Sequence, residues 1–285
     1  MRKLEADSRL NIVEVSGLAW AESVRRAAET LGNEADFADY QASLPEQGVR
    51  SPETGDELRR AGILDAHGVM SPQWVLAVAL AASAPVKAST VVQFRDTVQF
   101  KDTVQLRDAA PSGDAVRPEE HSVHTEIGLA GGRGVGVSYQ RRISHQADGA
   151  GLTEVRNAVE VSFFQEEDAW AALSRQFPDL SQLDGQHGAT PGETAADTTC
   201  TIHLGVSATP TGQAGSRPYA RGRVWAVADR LYSVDRSYSS DETPEEDAPV
   251  SLAAVPATDI GREFAWSLLG AREYLGSAAD GSVRA

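Results

Sequence analysis

Cysteine and long apolar runs are the two things that this chain of 285 residues most clearly lacks. Cys200 is the single cysteine, so the chain can form no internal disulfide and no cysteine cluster for a metal ion. The longest apolar run, Trp74 to Ala82, falls well short of the roughly 20 residues that a membrane-spanning helix needs. The N-terminus has no apolar core of signal-peptide length. We therefore expect a soluble cytoplasmic protein without membrane insertion.

Positive charge is also scarce. The chain has 26 basic and 41 acidic residues and a formal net charge of −15. Such a surface repels phosphate backbones and anionic membranes, which argues against nucleic acid or a lipid surface as the main partner.

Motifs for catalysis are missing as well. His121 and His124 are three residues apart, a spacing that brings two side chains together on a helix. This stretch is predicted to be a strand, which separates them, so we do not expect them to bind one metal ion. The glycine-rich stretch from Gly128 to Gly136 lacks the Gly-Lys-Ser/Thr ending of a phosphate-binding loop, so we expect a turn between strands. No Gly-x-Ser-x-Gly motif is present. We expect no catalytic residue, no metal and no cofactor.

What the chain does contain is a central stretch, Ser51 to Asp108, with strong local signals. Ser51-Pro52 and Ser71-Pro72 each predict a helix start, because serine caps the first turn and proline suits the first helical position. Gly62 predicts the end of the first helix, and Pro85 the end of the second.

A β-type run follows from Val91 to Asp108, with three similar hexads, VQFRDT, VQFKDT and VQLRDA. An even period keeps equivalent side chains on one face of an extended chain, which favours a strand over a helix. A straight strand of this length exceeds the usual limit of about 10 residues. The run therefore bends, projects past the sheet or folds into a hairpin, and a local duplication accounts for its repeats.

Further elements follow from hydrophobic periodicity. We predict strands at 11–15, 121–130, 134–143, 154–164, 200–206 and 250–255, a hairpin over 224–234 turning at Asp229-Arg230, and helices at 16–31, 166–177 and from 258 onward. We predict irregular or loop structure at 33–50, 111–120, 144–153 and 181–198, and disorder in the acidic segment 235–249.

An internal match suggests duplication. The sequence NIVEVS at 11–16 resembles NAVEVS at 157–162, and each is followed by Ala-Trp-Ala in a predicted helix. Coincidence is one explanation of so short a match. The other is a repeated strand–helix unit, which predicts two pseudo-symmetric halves, 1–130 and 131–285, in one compact α+β domain.

The stretch from Glu57 to Gly68, then Ser71-Pro72-Gln73-Trp74, an apolar helix, Pro85 and a β run, resembles the EspG family of actinobacterial type VII (ESX) secretion-associated proteins. The later order of a glycine-rich strand pair, a strand and helix before Pro178, a hairpin and a C-terminal helix is also similar. The chain departs from that family in its three hexads and its acidic insert at 235–249.

This resemblance implies an α+β fold with a central, mostly antiparallel sheet flanked by helices in two pseudo-symmetric halves. It implies a cytosolic chaperone, not an enzyme, that binds a helical PE/PPE-like secretion substrate and keeps it soluble for export. We expect the partner to contact the long strand and the loop after it. The predicted contact residues are Phe100, Leu106, Arg107, Pro111, Ser112, Gly113, Asp114 and Arg117.

Other functions fit the same residues. The first alternative is a small-ligand-binding or regulatory sensor domain without catalysis, with its ligand in the groove between the halves. A hydrolase with dispersed residues and a structural adaptor for other secretion machinery are the remaining two.

Overall fold

In the computed structural model, the structure describes residues 9–32, 34–44, 51–94, 120–146, 149–183, 198–210, 217–236 and 250–283. Within these ranges nine strands form one sheet in the order β1-β5-β4-β3-β2-β6-β7-β8-β9, and all neighbours are antiparallel. The strands are β1 Asn11–Val15, β2 Val86–Phe94, β3 Glu120–Ala130, β4 Arg133–Gln146, β5 Gly149–Gln165, β6 Cys200–Ala208, β7 Tyr219–Val227, β8 Leu231–Arg236 and β9 Val250–Val255.

Helices flank the sheet on both faces, which confirms the predicted α+β class with an antiparallel sheet. In the described part of the chain they are α1 Gly17–Leu31, α2 Glu34–Ser43, α3 Pro52–Arg60, α4 Pro72–Ser83, α5 Ala169–Ser174 and α6 Asp259–Val283.

The helix starts follow the predicted capping chemistry. The Ser16, Ser51 and Ser71 hydroxyls each accept a hydrogen bond from a backbone N–H of the first turn of α1, α3 and α4. Gly32 and Gly62 follow α1 and α3 with φ of 68° and 71°, a left-handed conformation that favours glycine.

Two hydrophobic cores lie on opposite faces of the sheet. On the face that we call upper, Val135, Val137, Val159 and Val161 pack under helices α1 to α4. Trp20 and Trp74 meet edge to face in this core, with ring centroids 6.1 Å apart. On the lower face, α5 and α6 cover the other core, which contains Val86, Ile127, Leu173, Ile202, Cys200, Ile260 and Phe264. Burial raises the pKa of the Cys200 thiol to about 12.

Two carboxylates stabilise the upper helices: the half-buried Glu57 links α3 to the start of α1, and the buried Glu22 pairs with two arginines of its own helix. Glu57 of α3 accepts hydrogen bonds from the backbone N–H and the hydroxyl of Ser16, at 2.6 and 2.8 Å. Glu22 of α1 is 1% exposed and accepts from Arg25 and Arg26. Burial alone would raise the pKa of Glu22, but these hydrogen bonds outweigh it and hold the pKa below its usual value.

The two copies of the internal sequence match are neighbours in the sheet. β1 pairs with β5, and Glu14 lies opposite Glu160, the residue that corresponds to it in the match. A meander of four strands followed by a helix also occurs twice, as β2 to β5 with α5 and as β6 to β9 with α6. The division into halves 1–130 and 131–285 stays a prediction.

Two predictions of local structure were wrong, and a third gave a helix that was too long. The segment 33–50, predicted irregular, contains α2, whose Phe37 is 2% exposed in the upper core. The predicted loop 144–153 is largely strand, because β4 continues to Gln146 and β5 begins at Gly149. The helix predicted over 166–177 is a 3-10 turn at Glu166–Asp168 followed by the short α5. The loop predicted over 144–153 is largely strand because antiparallel backbone hydrogen bonds can extend the β4–β5 hairpin even where no face of it is apolar.

Candidate partner-binding site

The predicted contact residues Phe100, Leu106, Arg107, Pro111, Ser112, Gly113, Asp114 and Arg117 lie outside the described residues. So do most of the hexad run, most of the predicted loop 181–198 and the acidic segment after Arg236. In sequence, the contact residues belong to the connection between β2 and β3. We therefore looked for a binding surface on the described strands next to that connection.

The upper face of the sheet has a covered half and an open half. The covered half consists of β1, β5 and β4, whose inward valines lie beneath α1 to α4. The open half consists of β2, β6, β7, β8 and β9. Lys87 of β2 contacts Tyr40 of α2 and Ala82 of α4 at the boundary with the covered half, and the described helices with more extensive contacts to β2, β6 and β7, α5 and α6, lie on the lower face. In the described part of the chain, the upper side of this strip is open at Val91, His203, Val224, Val234 and Leu252, whereas Ala226 and Tyr232 are buried there.

A groove runs along the boundary between the two halves. Its wall is formed by Tyr40 of α2 and Ala81 of α4. Its floor, of small side chains, includes Ser89, Gly205, Ser207, Ala220 and Gly222 on β2, β6 and β7. The cavity has a volume of about 520 Å³.

Lys87 and Glu126 place opposite charges in this groove. The Lys87 ammonium donates a hydrogen bond to the Ala82 carbonyl at 2.6 Å and lies 5.7 Å from the centre of the Tyr40 ring. Burial lowers the pKa of Lys87, and the Glu126 carboxylate opposes that shift. Burial raises the pKa of Tyr40, and Glu126 adds to the effect. The Tyr40 hydroxyl is therefore a neutral donor.

A row of side chains crosses the open half at right angles to the strands. Strand register places Val91 of β2 beside His203 of β6, then Val224 of β7, Val234 of β8 and Leu252 of β9. His203 is exposed and the four apolar residues are half-buried. Such a row offers apolar area at regular cross-strand spacing.

The row continues from Val91 toward the covered half through His124 and Tyr139. Their rings stack with centroids 5.1 Å apart, and the Arg141 guanidinium lies 4.8 Å from the Tyr139 centroid. Burial lowers the pKa of His124 to about 4, and the positive charge of Arg141 contributes. His124 is therefore neutral at physiological pH.

Among the described residues, the histidines and acidic side chains do not come together as a metal site. His121 and His124 point to opposite faces of β3, as the strand prediction required. No group of three His, Cys, Asp or Glu residues among those described could hold a metal ion. None of the described helices is long and apolar enough to cross a membrane.

Sequence reasoning did not find the residues of this open half. The alternation in β6 identified Cys200, Ile202, Leu204 and Val206 as one buried face, and the structure confirms it. The opposite face of β6 was left without a role. A signal existed, because Gly205 and Ser207 are small residues on that face.

No protein-family model and no curated protein matches the chain. Among the solved structures to which the chain is similar is that of the Mycobacterium tuberculosis type VII secretion system chaperone EspG5 in complex with the PE25-PPE41 dimer. The match has a TM-score of 0.46 and 8% sequence identity, and it covers 86% of this chain and 91% of that chain. The EspG family is the one that the sequence stretch from Glu57 to Pro85 resembles.

Proposed function

We propose that the chain is a cytosolic chaperone without catalytic activity that binds a helical PE/PPE-like substrate of type VII secretion and keeps it soluble for export. The observation that carries the proposal is the open half of the upper face. It provides an apolar row beside a groove with a small-residue floor, while the rest of the sheet is covered. The class of partner comes from the sequence resemblance.

The chemistry of the open half suits a helix. An α-helix with its side chains is about 10 Å wide and approaches a sheet most closely where the facing residues are small. Ser89, Gly205 and Ser207 allow that approach, while Val91, Val224 and Val234 supply apolar contact on the adjoining strands. Lys87 and Glu126 can set the register of a charged partner at the groove wall.

The predicted contact residues lie in the connection between β2 and β3, two strands that contribute to this surface. It leaves β2 after Phe94 and returns into β3 at Glu120, and both strands contribute to the row. Phe100, Leu106, Arg107 and residues 111–114 with Arg117 therefore remain the proposed second contact.

The proposal is tested by co-expression with a PE/PPE-type protein from the same genome and by gel filtration of the complex. The Ser207→Trp variant fills the groove from an exposed strand face, and we expect it to lose the complex while it keeps its thermal unfolding midpoint. Thr30→Trp, at an exposed position near the end of α1, is the control and should bind as the unmodified chain does. A Ser207→Trp variant that binds fully would refute the groove as the site.

A second variant tests the contact segment alone. Replacement of residues 111–119 by a short glycine–serine linker should weaken the complex without changing the fold of the sheet. Unchanged affinity would remove this segment from the proposal and leave the open half as the contact.

A small-ligand or sensor function is the second candidate, and the groove cavity is the observation that favours it. Its volume of about 520 Å³ lies within the range of small-molecule sites. A thermal-shift screen of metabolites discriminates between the two functions. A metabolite that stabilises the chain but not the Ser207→Trp variant, together with no binding of PE/PPE-type proteins, would establish this alternative.

A further inference from the structure

The C-terminal helix α6 carries an exposed stripe on the side away from the sheet. Its inner side is formed by Ile260, Phe264 and Ala271, which are buried in the lower core. The outer stripe is formed by Arg262, Trp266, Leu269 and Glu273, at successive spacings of four, three and four residues. This spacing aligns side chains along one side of a helix.

The two apolar members of the stripe are unusually open for their size. Trp266 is 62% exposed and Leu269 is 46% exposed. A single exposed apolar residue is common, but a tryptophan and a leucine one turn apart make a continuous apolar surface. Tryptophan and arginine are also the side chains enriched in interface hot spots.

The stripe is self-complementary. In an antiparallel pair of α6 helices related by a two-fold axis between residues 267 and 268, Trp266 faces Leu269 of the second copy. The same axis places Arg262 opposite Glu273 of the second copy, and each contact occurs twice. Apolar residues then meet at the centre and opposite charges meet at both ends, as an isologous interface requires.

We propose that the outer stripe of α6 binds a second copy of this chain in an antiparallel, isologous homodimer. A second copy is the partner that fits, because Arg262 and Glu273 lie at equal distances on either side of the Trp266–Leu269 pair and carry opposite charges. The proposal is independent of the proposed chaperone function, because the stripe lies on the lower side of the molecule and the groove on the upper side.

The first turn of α6 is held in place by hydrogen bonds and ion pairs within the chain. The Trp225 indole N–H donates to Asp259 at 3.0 Å, at the first residue of α6. Arg221 and Arg223 both bind Glu263, at 2.7 and 3.2 Å. Asp259 also pairs with Arg262, which holds one end of the guanidinium and leaves other N–H donors for a carboxylate of the second copy. A helix held in this way loses little freedom on docking.

Exchanging the charges at Arg262 and Glu273 tests the proposal. The measurement is sedimentation velocity over a range of chain concentrations, which reports the fraction of dimer. We expect a concentration-dependent dimer for the unmodified chain. Arg262→Glu and Glu273→Arg, each alone, should weaken it by about tenfold or more, because both place like charges opposite each other. The double variant should dimerise again. An equimolar mixture of the two single variants should form a heterodimer, since every pair is then Glu opposite Arg.

Two further variants separate the interface from general effects. Trp266→Ala should give a monomer, whereas Leu76→Ala should not change the dimer, since Leu76 is a comparably exposed residue (49%) on α4. Trp266 and Glu273 are exposed, so circular dichroism and the unfolding midpoint of their variants should stay unchanged, whereas Arg262→Glu also loses the ion pair with Asp259 and should unfold at a somewhat lower temperature. A monomer at all concentrations, or single variants whose mixture stays monomeric, would overturn the proposal. A dimer that survives Trp266→Ala would do the same.

Discussion

The covered and open halves of the upper face are parts of one sheet with the same alternation of side chains, yet they are built from different residues. In the covered half, the inward positions of β4 and β5 are four valines with Tyr139 and Phe163, and Val161 is 0% exposed beneath the helices. In the open half, the same side of β2, β6 and β7 carries serine, glycine, half-buried valines and polar side chains such as Lys87 and His203, and Ala226 is its buried member. The first composition suits permanent burial, and the second suits a surface that is covered only by a partner.

The difference also separates stability from binding. A side chain that is buried under α1 to α4 contributes to folding, because its area leaves water when the chain folds. A half-buried valine in the open half retains exposed area in the folded chain. That area can still be removed from water by a partner.

The largest expected effect comes from making the same substitution in both halves. Val161→Ala should lower the free energy of unfolding by about 2–3 kcal/mol, since it removes buried methyl groups and leaves a cavity. Val224→Ala, on the same face of the sheet, should lower it by less than about 1 kcal/mol. Urea unfolding followed by tryptophan fluorescence measures both. Equal losses in the two variants would mean that the open half is already covered within the folded chain.

Local signals predicted most of the elements. Serine caps, Pro85, Gly32 and Gly62 fixed the ends of α1, α3 and α4, because these depend on chemistry within one turn. Sequence patterns also predicted β6, β8 and β9, whereas β7 was predicted only from Val224 although it begins at Tyr219. Helix α2 was missed because few apolar residues mark it, and Phe37 is its clearest anchor in the core.

The site was beyond such signals. Which half of the sheet is left open depends on where four helices pack, and the packing depends on contacts between distant residues. Glu57 illustrates this, because its role at the start of α1 spans 41 positions of sequence. The row from Val91 to Leu252 likewise exists only once the order of the strands is known.

The second prediction concerns how the covered half is held. Glu57→Gln should lower the free energy of unfolding by about 2 kcal/mol, because the charged acceptor of the Ser16 N–H and hydroxyl becomes a neutral amide. Glu53→Gln, at an exposed position of the same helix, is the matched control and should have a much smaller effect. Urea unfolding is again the measurement. If both variants lost the same stability, the contact between α3 and α1 would not account for the effect.

The smallest expected effect lies at the boundary of the two halves and depends on pH. Because burial and Arg141 lower the pKa of His124 to about 4 in the folded chain, while an exposed histidine titrates near 6.5, the unfolded chain binds the extra proton first. The stability due to neutral His124 is fully present above pH of about 6.5 and falls as the pH drops toward about 4.

The histidine is partly open to water, so we expect its contribution to fall by about 1 kcal/mol over that window. His124→Gln should remove this part of the acid sensitivity, as measured by urea unfolding at several pH values. His67→Gln, in the exposed turn before α4, is the matched control substitution. If a bound partner covers the row through His124, it should also deepen the acid sensitivity, because protonation would then cost binding as well as folding. A complex whose affinity is the same at both ends of the window would place the partner away from His124 and restrict the contact to the row from Val91 to Leu252.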